Sequence, residues 1–206
     1  MTDYNNEYFF LRRPADEGLP YPQPDEDTAE LNYMFEVLPL GSRPLKFFNG
    51  MADMQKEQGI RPYKGAPEVM FVGSDLLVSD RVREKLLPLE VPRLALQPAI
   101  YVDDDGKWHE TFWYLTFIDR FDCWDRDQSD YDRDDPIDIG GTQLFDVYSF
   151  KLNEKLLDKT PLQERLLFKM GGVNPAPVTV HKSLAGVFRS AGQGACELQA
   201  VADFEG

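Results

Sequence analysis

A strand, a capped helix and a second strand follow one another twice in this chain, around residues 69–102 and 166–204, and no other pattern limits the fold as much. In the first unit Val69–Val72 reads as a buried strand and Leu76–Val78 as its continuation. Ser79 is placed to cap a helix through Leu87, with Val82, Leu86 and Leu87 on one face. Pro88 and Pro92 stop that helix. Residues 94–102 then lead through the turn Asp103, Asp104, Asp105, Gly106 into an aromatic return strand over residues 108–121, which makes a hairpin. In the second unit residues 166–170 and 177–180 are extended. Ser183 stands before a helix carrying Leu184, Val187, Phe188 and Ala191 at i, i+3, i+4, i+7, and residues 196–204 return as a strand. Strands and helices do not alternate regularly, so the spacing predicts an α+β fold: mostly antiparallel sheet with a few helices packed on one side. A dinucleotide-binding fold is excluded, because Gly192 and Gly194 follow a helix and read as its stop, where that fold needs glycines after a strand.

The rest of the chain is cut up by proline. Residues 4–11 read as a strand, and residues 13–28 as a loop or extended arm through Pro14, Pro20, Pro22 and Pro24. Residues 32–48 read as two short strands about a turn at Gly41 and Pro44, residues 51–59 as a brief helix, and residues 144–151 as a further strand. The length fits one α+β domain over 1–206, or two lobes at 1–67 and 68–206.

Charge narrows the partners. With 36 acidic against 22 basic residues the formal net charge is −14, which excludes nucleic acid and favours positively charged surfaces. Residues 1–7 are polar, with no basic start before an apolar run, and no stretch reaches the length of a membrane span. Cys123 and Cys196 are too few for a disulfide scaffold or a thiolate zinc site. The cytoplasm is the expected compartment, with no membrane association and no cofactor. His109 and His181 have no motif around them, so neither marks a hydrolase.

The densest acidic run holds Asp119, Asp122, Asp125, Asp127, Asp130, Asp132, Asp134, Asp135 and Asp138, relieved only by Arg120, Arg126 and Arg133. Counted from Asp125, the sixth and twelfth places of a calcium loop hold Asp130 and Pro136 where glycine and glutamate belong, so the EF-hand form is absent. A carboxylate pair or weak divalent-ion site, serving a hydrolase or a metal-dependent enzyme, is one reading of the run. A solvated loop with Trp124 turned into the core is a second. The third is a protein-binding surface made of Asp122, Trp124, Asp125, Asp127, Asp130, Tyr131, Asp132, Asp134 and Asp135, in which acids steer and rings anchor.

Two segments favour the third reading. FVGSDLLVSDRVREKLLPLEVPRLALQP, from Phe71 to Pro98, and WYLTFIDRFDCWDRDQSDY, from Trp113 to Tyr131, resemble a bacterial immunity-protein family encoded beside polymorphic and type VI secreted toxins. The features that match are Val78 to Arg81, Asp122 to Asp125 with Ser129 and Tyr131, and the closing region from Val178 to Phe204, so the likeness runs from Phe71 to Phe204. The resemblance implies a cognate toxin held inactive by occlusion of its active site, no catalytic residues, and, given the charge, a toxin with a basic cleft.

Overall fold

The aromatic strand Trp108–Phe117 buries most of its second half, and it can do so because it is flanked on both sides. In the computed structural model, which describes residues 3–192 and 194–206, it runs antiparallel to Leu94–Val102 and to Asp75–Ser79. Met1 and Thr2, where the polar start was read, lie outside the described residues, as does Gln193. The sheet extends to six strands in the order Pro22–Pro24, Leu45–Asn49, Leu94–Val102, Trp108–Phe117, Asp75–Ser79, Val69–Val72. Only Leu45–Asn49 and Leu94–Val102 pair in parallel. The proline strand sits at an edge, where a missing N–H costs no ladder bond. The core on this sheet is aromatic: Phe47 stacks on Tyr114 at 5.9 Å, and Tyr33 meets Tyr114 edge-on at 4.9 Å.

That sheet belongs to a compact unit formed by Arg13–Ile118 and Val187–Glu197. The second unit takes the chain up to Arg12, Asp119–Gly186 and Leu198–Gly206. Its five-stranded sheet runs in the order Glu197–Ala200, Tyr8–Arg12, Val178–His181, Leu167–Met170, Arg120–Phe121. Tyr8, Phe10, Trp124, Phe150, Leu152, Phe168 and Met170 fill its core. Both larger sheets set a parallel pair among antiparallel ones, Leu45–Asn49 with Leu94–Val102 in one and Arg120–Phe121 with Leu167–Met170 in the other, and the fold is α+β as the sequence predicts.

Several elements differ from their sequence reading. Leu76–Val78 does not continue Val69–Val72 but turns back against it, because Gly73, at φ 59°, supplies the left-handed residue of a two-residue turn. The long return strand ends at Phe117, and Arg120–Phe121 joins the other sheet. The strand read over 144–151 is two pieces, Thr142–Leu144 and Val147–Ser149. Ser79 occupies the N-cap of helix Asp80–Leu86 without a capping bond from its side chain; Asp80, in the first turn, accepts instead from the Trp113 indole at 2.5 Å. Ser183 lies inside helix Lys182–Ala191, and its amide is capped by the His181 ring nitrogen at 3.2 Å. Residues 32–44 hold no strand at all; the only strand of that segment is Leu45–Asn49.

Leu77 lies fully buried in the aromatic core of the six-stranded sheet, whereas Leu40 lies wholly in solvent. Leu77→Ala is expected to cost about 2–5 kcal/mol, and Leu40→Ala to stay within about 0.5 kcal/mol. Urea denaturation followed by circular dichroism measures both.

Candidate functional site

The Asp-rich segment is held at its base by one ring. Trp124 is only 2% exposed, sits among Phe145, Phe150 and Tyr131, and donates its indole N–H to the carbonyl of Gly171 at 3.0 Å. The adjoining glycines make room for this seat. A Cβ on Gly171 would lie 2.8 Å from the Asp122 amide nitrogen, and one on Gly172, which has φ +70°, would meet the Arg126 guanidinium. Arg126 grips Asp122 through both of its terminal nitrogens and lies 3.8 Å from the Trp124 ring centre, so the exposed side of the indole is covered by the loop's own cation.

From this anchor the loop is tied down step by step. The Asp125 amide donates to the Lys151 carbonyl at 2.7 Å, and the Asp125 carboxylate accepts from the amides of Asp127 and Gln128 and from the Gln128 side chain. The hydroxyl of buried Ser129 accepts from the Lys151 amide at 2.9 Å, and Asp130–Tyr131 pairs with Val147–Ser149. Tyr131, half-buried, packs edge-on to Trp124 at 4.9 Å under the Arg133 guanidinium. Asp132 accepts from the Asp134 amide at 3.0 Å.

The nine residues expected to bind a partner therefore divide. Asp122, Trp124, Asp125, Tyr131 and Asp132 build the loop. Trp124, expected as an interface anchor, has its indole in the core, where its apolar area is buried and its N–H is satisfied by the Gly171 carbonyl. Tyr131 has its faces covered from within in the same way. Asp127, Asp130, Asp134 and Asp135 are exposed, and their carboxylates make no hydrogen bond or ion pair among the described residues. Arg126 and Arg133, the nearest cations in the chain, are bound internally. A groove of about 740 Å³ beside the loop is nearly balanced in charge, with Arg126, Lys151 and Lys155 lining it along with Asp122, Asp125, Asp127 and Glu154.

Sequence reasoning missed an apolar companion to these acids. Ile137–Ile139 and Thr142–Leu144 form a two-stranded hairpin on which Ile137 and Ile139 are exposed. Gly140 and Gly141, both at positive φ, turn it, and the Asp138 carboxylate accepts from the Gly141 amide at 3.0 Å. The Gly-Gly pair between two short β-prone runs was the available signal.

Cys123, His109 and His181 are each held within the fold. Among the described residues no group of three or more His, Cys, Asp or Glu side chains could hold a metal ion. Burial pushes the Cys123 thiol far above its usual range, which withholds the thiolate a nucleophile needs. His109 is bound to Asp103 at 2.8 Å. Burial raises the Asp103 carboxyl, but hydrogen bonds from His109 and the amides of Lys107 and Asp105 outweigh it and leave it below the ordinary value. His181 caps a helix, contacts the Ser183 hydroxyl at 2.8 Å, and packs against Tyr8, whose hydroxyl burial pushes up to about 12. No helix among the described residues is long and apolar enough to cross a membrane.

Fold and loop together define an acidic α+β protein that displays unpaired carboxylates on a rigid support. Comparison with known families places it more closely: a model of an immunity protein family (Imm11) matches residues 36–160, more than half of the chain, and the chain belongs to that family. Membership suggests an immunity function and a non-enzymatic role, with a toxin as the general kind of partner. The match includes both segments that carried the resemblance and starts earlier, at residue 36, but ends before the closing strand, helix and strand. No curated protein matches the chain.

Two measurements follow. Trp124→Ala is expected to cost about 3–5 kcal/mol and Gly171→Ala about 1–3 kcal/mol. Asp127→Asn is expected to change stability by less than about 0.5 kcal/mol, all three read by urea denaturation. Burial lowers the pKa of His181 against the opposing pull of Glu7. A histidine whose folded pKa is depressed binds its proton more readily when unfolded, so stability should be full above the unfolded value of about 6.5 and fall as pH drops through it toward the folded value. An NMR titration of the His181 ring reads the folded pKa directly, and a value above 6.5 would contradict the burial argument.

Proposed function

We propose that this chain neutralises a cognate secreted toxin in the cytoplasm by binding it, with Asp127, Asp130, Asp134 and Asp135 set against a basic cleft and Ile137 and Ile139 adding apolar contact. The observation that carries the reading is that these four carboxylates have no partner among the described residues while the loop bearing them is fixed by Trp124, Ser129 and a series of backbone bonds. An ordered, unpaired set of charges loses little freedom on binding, which is where preorganised surfaces gain affinity. Family membership supports the class of partner. If the toxin acts on nucleic acid, the carboxylates occupy the places of substrate phosphates. Polymorphic toxins, including those delivered by type VI secretion, are the class to search.

Co-expression with the product of the adjacent gene should rescue growth, and the two proteins should co-purify. Association should slow by about tenfold or more between low and high salt, because charges are screened beyond about 8–10 Å at physiological ionic strength. Asn at positions 127, 130, 134 and 135 together should slow association comparably while leaving the melting temperature unchanged; Asp132 is kept, since it shapes the loop. A rate indifferent to salt and to these four changes, or turnover of a small molecule by the purified chain, would overturn the proposal.

A further inference from the structure

The segment read as a strand before Gly41 is a loop that keeps part of its apolar residues and shows the rest. Tyr33 is buried in the core of the six-stranded sheet, and Leu31 and Leu38 pack against that core. Met34, Phe35 and Val37 are 44%, 60% and 51% exposed, and Leu40 is wholly exposed. Four large apolar side chains in seven residues exceed the scattered singles that an ordinary surface carries.

The loop is not loose. Gln97, buried in the strand beneath, donates to the carbonyls of Tyr33 at 3.1 Å and Glu36 at 3.4 Å, and accepts from the Leu38 amide at 2.9 Å. The hydroxyl of Thr116, fully buried, donates to the Tyr33 carbonyl at 2.9 Å. Two buried polar side chains thus hold the backbone at Tyr33, Glu36 and Leu38 while the apolar side chains between those points face water. A buried glutamine in a sheet is costly unless its amide is used, and here both ends are spent on the loop.

The charge around the loop selects what covers it. Between Glu26 and Arg43 the chain holds Glu26, Asp27, Glu30 and Glu36 against a single base, Arg43, which pairs with Asp27 at 2.7 Å. Glu30 and Glu36 are exposed and make no side-chain bond among the described residues. A second copy docked through this loop by two-fold symmetry would bring these carboxylates against their own equivalents, in a chain already at −14. A protein surface with an apolar hollow edged by lysine or arginine is complementary instead.

We infer that the loop from Met34 to Leu40 is a second contact surface for the toxin, with Phe35 and Leu40 entering an apolar hollow of that protein and Glu30 and Glu36 facing its basic edge. The inference rests on the neutralisation reading. It does not depend on the Asp-rich loop, which belongs to the other unit.

The test measures binding of the inactivated product of the adjacent gene to three forms of the full chain: the unchanged protein, F35S/L40S, and L40S alone, whose side chain touches no core. F35S/L40S should bind about 10- to 100-fold more weakly, chiefly through faster dissociation and by a similar factor at low and high salt, and L40S should show a smaller loss in the same sense. Melting temperatures should be unchanged. Equal binding by all three forms overturns the loop's role and leaves neutralisation standing. Absence of binding by the unchanged chain removes the neutralisation reading and this inference with it. A dimer of the unchanged chain in sedimentation that F35S/L40S converts to monomer assigns the loop to self-association and overturns the inference.

Discussion

Burial of the Trp124 indole is the constraint on which the acidic segment depends. Nine aspartates between residues 119 and 138 would, on a free chain, repel one another and stay extended. Placing Trp124 in the core, with its N–H on the Gly171 carbonyl, fixes the segment at one point, and Arg126 then serves two purposes by neutralising Asp122 and covering the ring. Once that point is set, Asp125 and Asp132 use their charge locally, as acceptors for amides two or three residues onward, and repulsion falls on fewer carboxylates. The four left over, Asp127, Asp130, Asp134 and Asp135, are exposed and take no such local role among the described residues.

How much of this was legible depends on whether a signal is local. The strands Leu94–Val102 and Trp108–Phe117 and the helices Asp80–Leu86 and Lys182–Ala191 were readable, since period, turn residues and breakers lie within each element. Val69–Val72 and Asp75–Ser79 were misjoined because one glycine between two apolar runs serves a bulge, a bend or a turn equally well in sequence. Residues 32–44 were misread for a different reason: an apolar run implies burial only if a sheet partner exists, and none does. The same holds for Trp124. Its neighbours in sequence are acids, which suggested a surface, whereas Gly171, Phe145 and Phe150, which receive it, lie 21 to 47 residues away.

Of the candidate site, the acids were legible and the division of labour among them was not. An aspartate that accepts from the amide two residues on looks, in sequence, like one facing water, and Asp125 and Asp127 differ only in what the backbone does around them. Where the apolar side chains lie was hard to read for the complementary reason. Large rings drew attention, but rings are the side chains a small core most needs, so Trp124 and Tyr131 went inward while the isoleucines of the hairpin Ile137–Leu144 stayed out.

Gln97 and Trp124 solve the same problem with opposite chemistry. Each stands in or beside a sheet and holds a segment whose composition would not fold on its own: too charged in one case, too apolar in the other. A buried amide suits the apolar loop, because its backbone needs donors and acceptors where no strand supplies them. A buried ring suits the acidic loop, because that segment has polar groups to spare and lacks apolar area to bury. In both, buried side chains immobilise a segment that also displays residues outside the core, and such an arrangement suits a protein whose exposed groups have to meet a surface outside it.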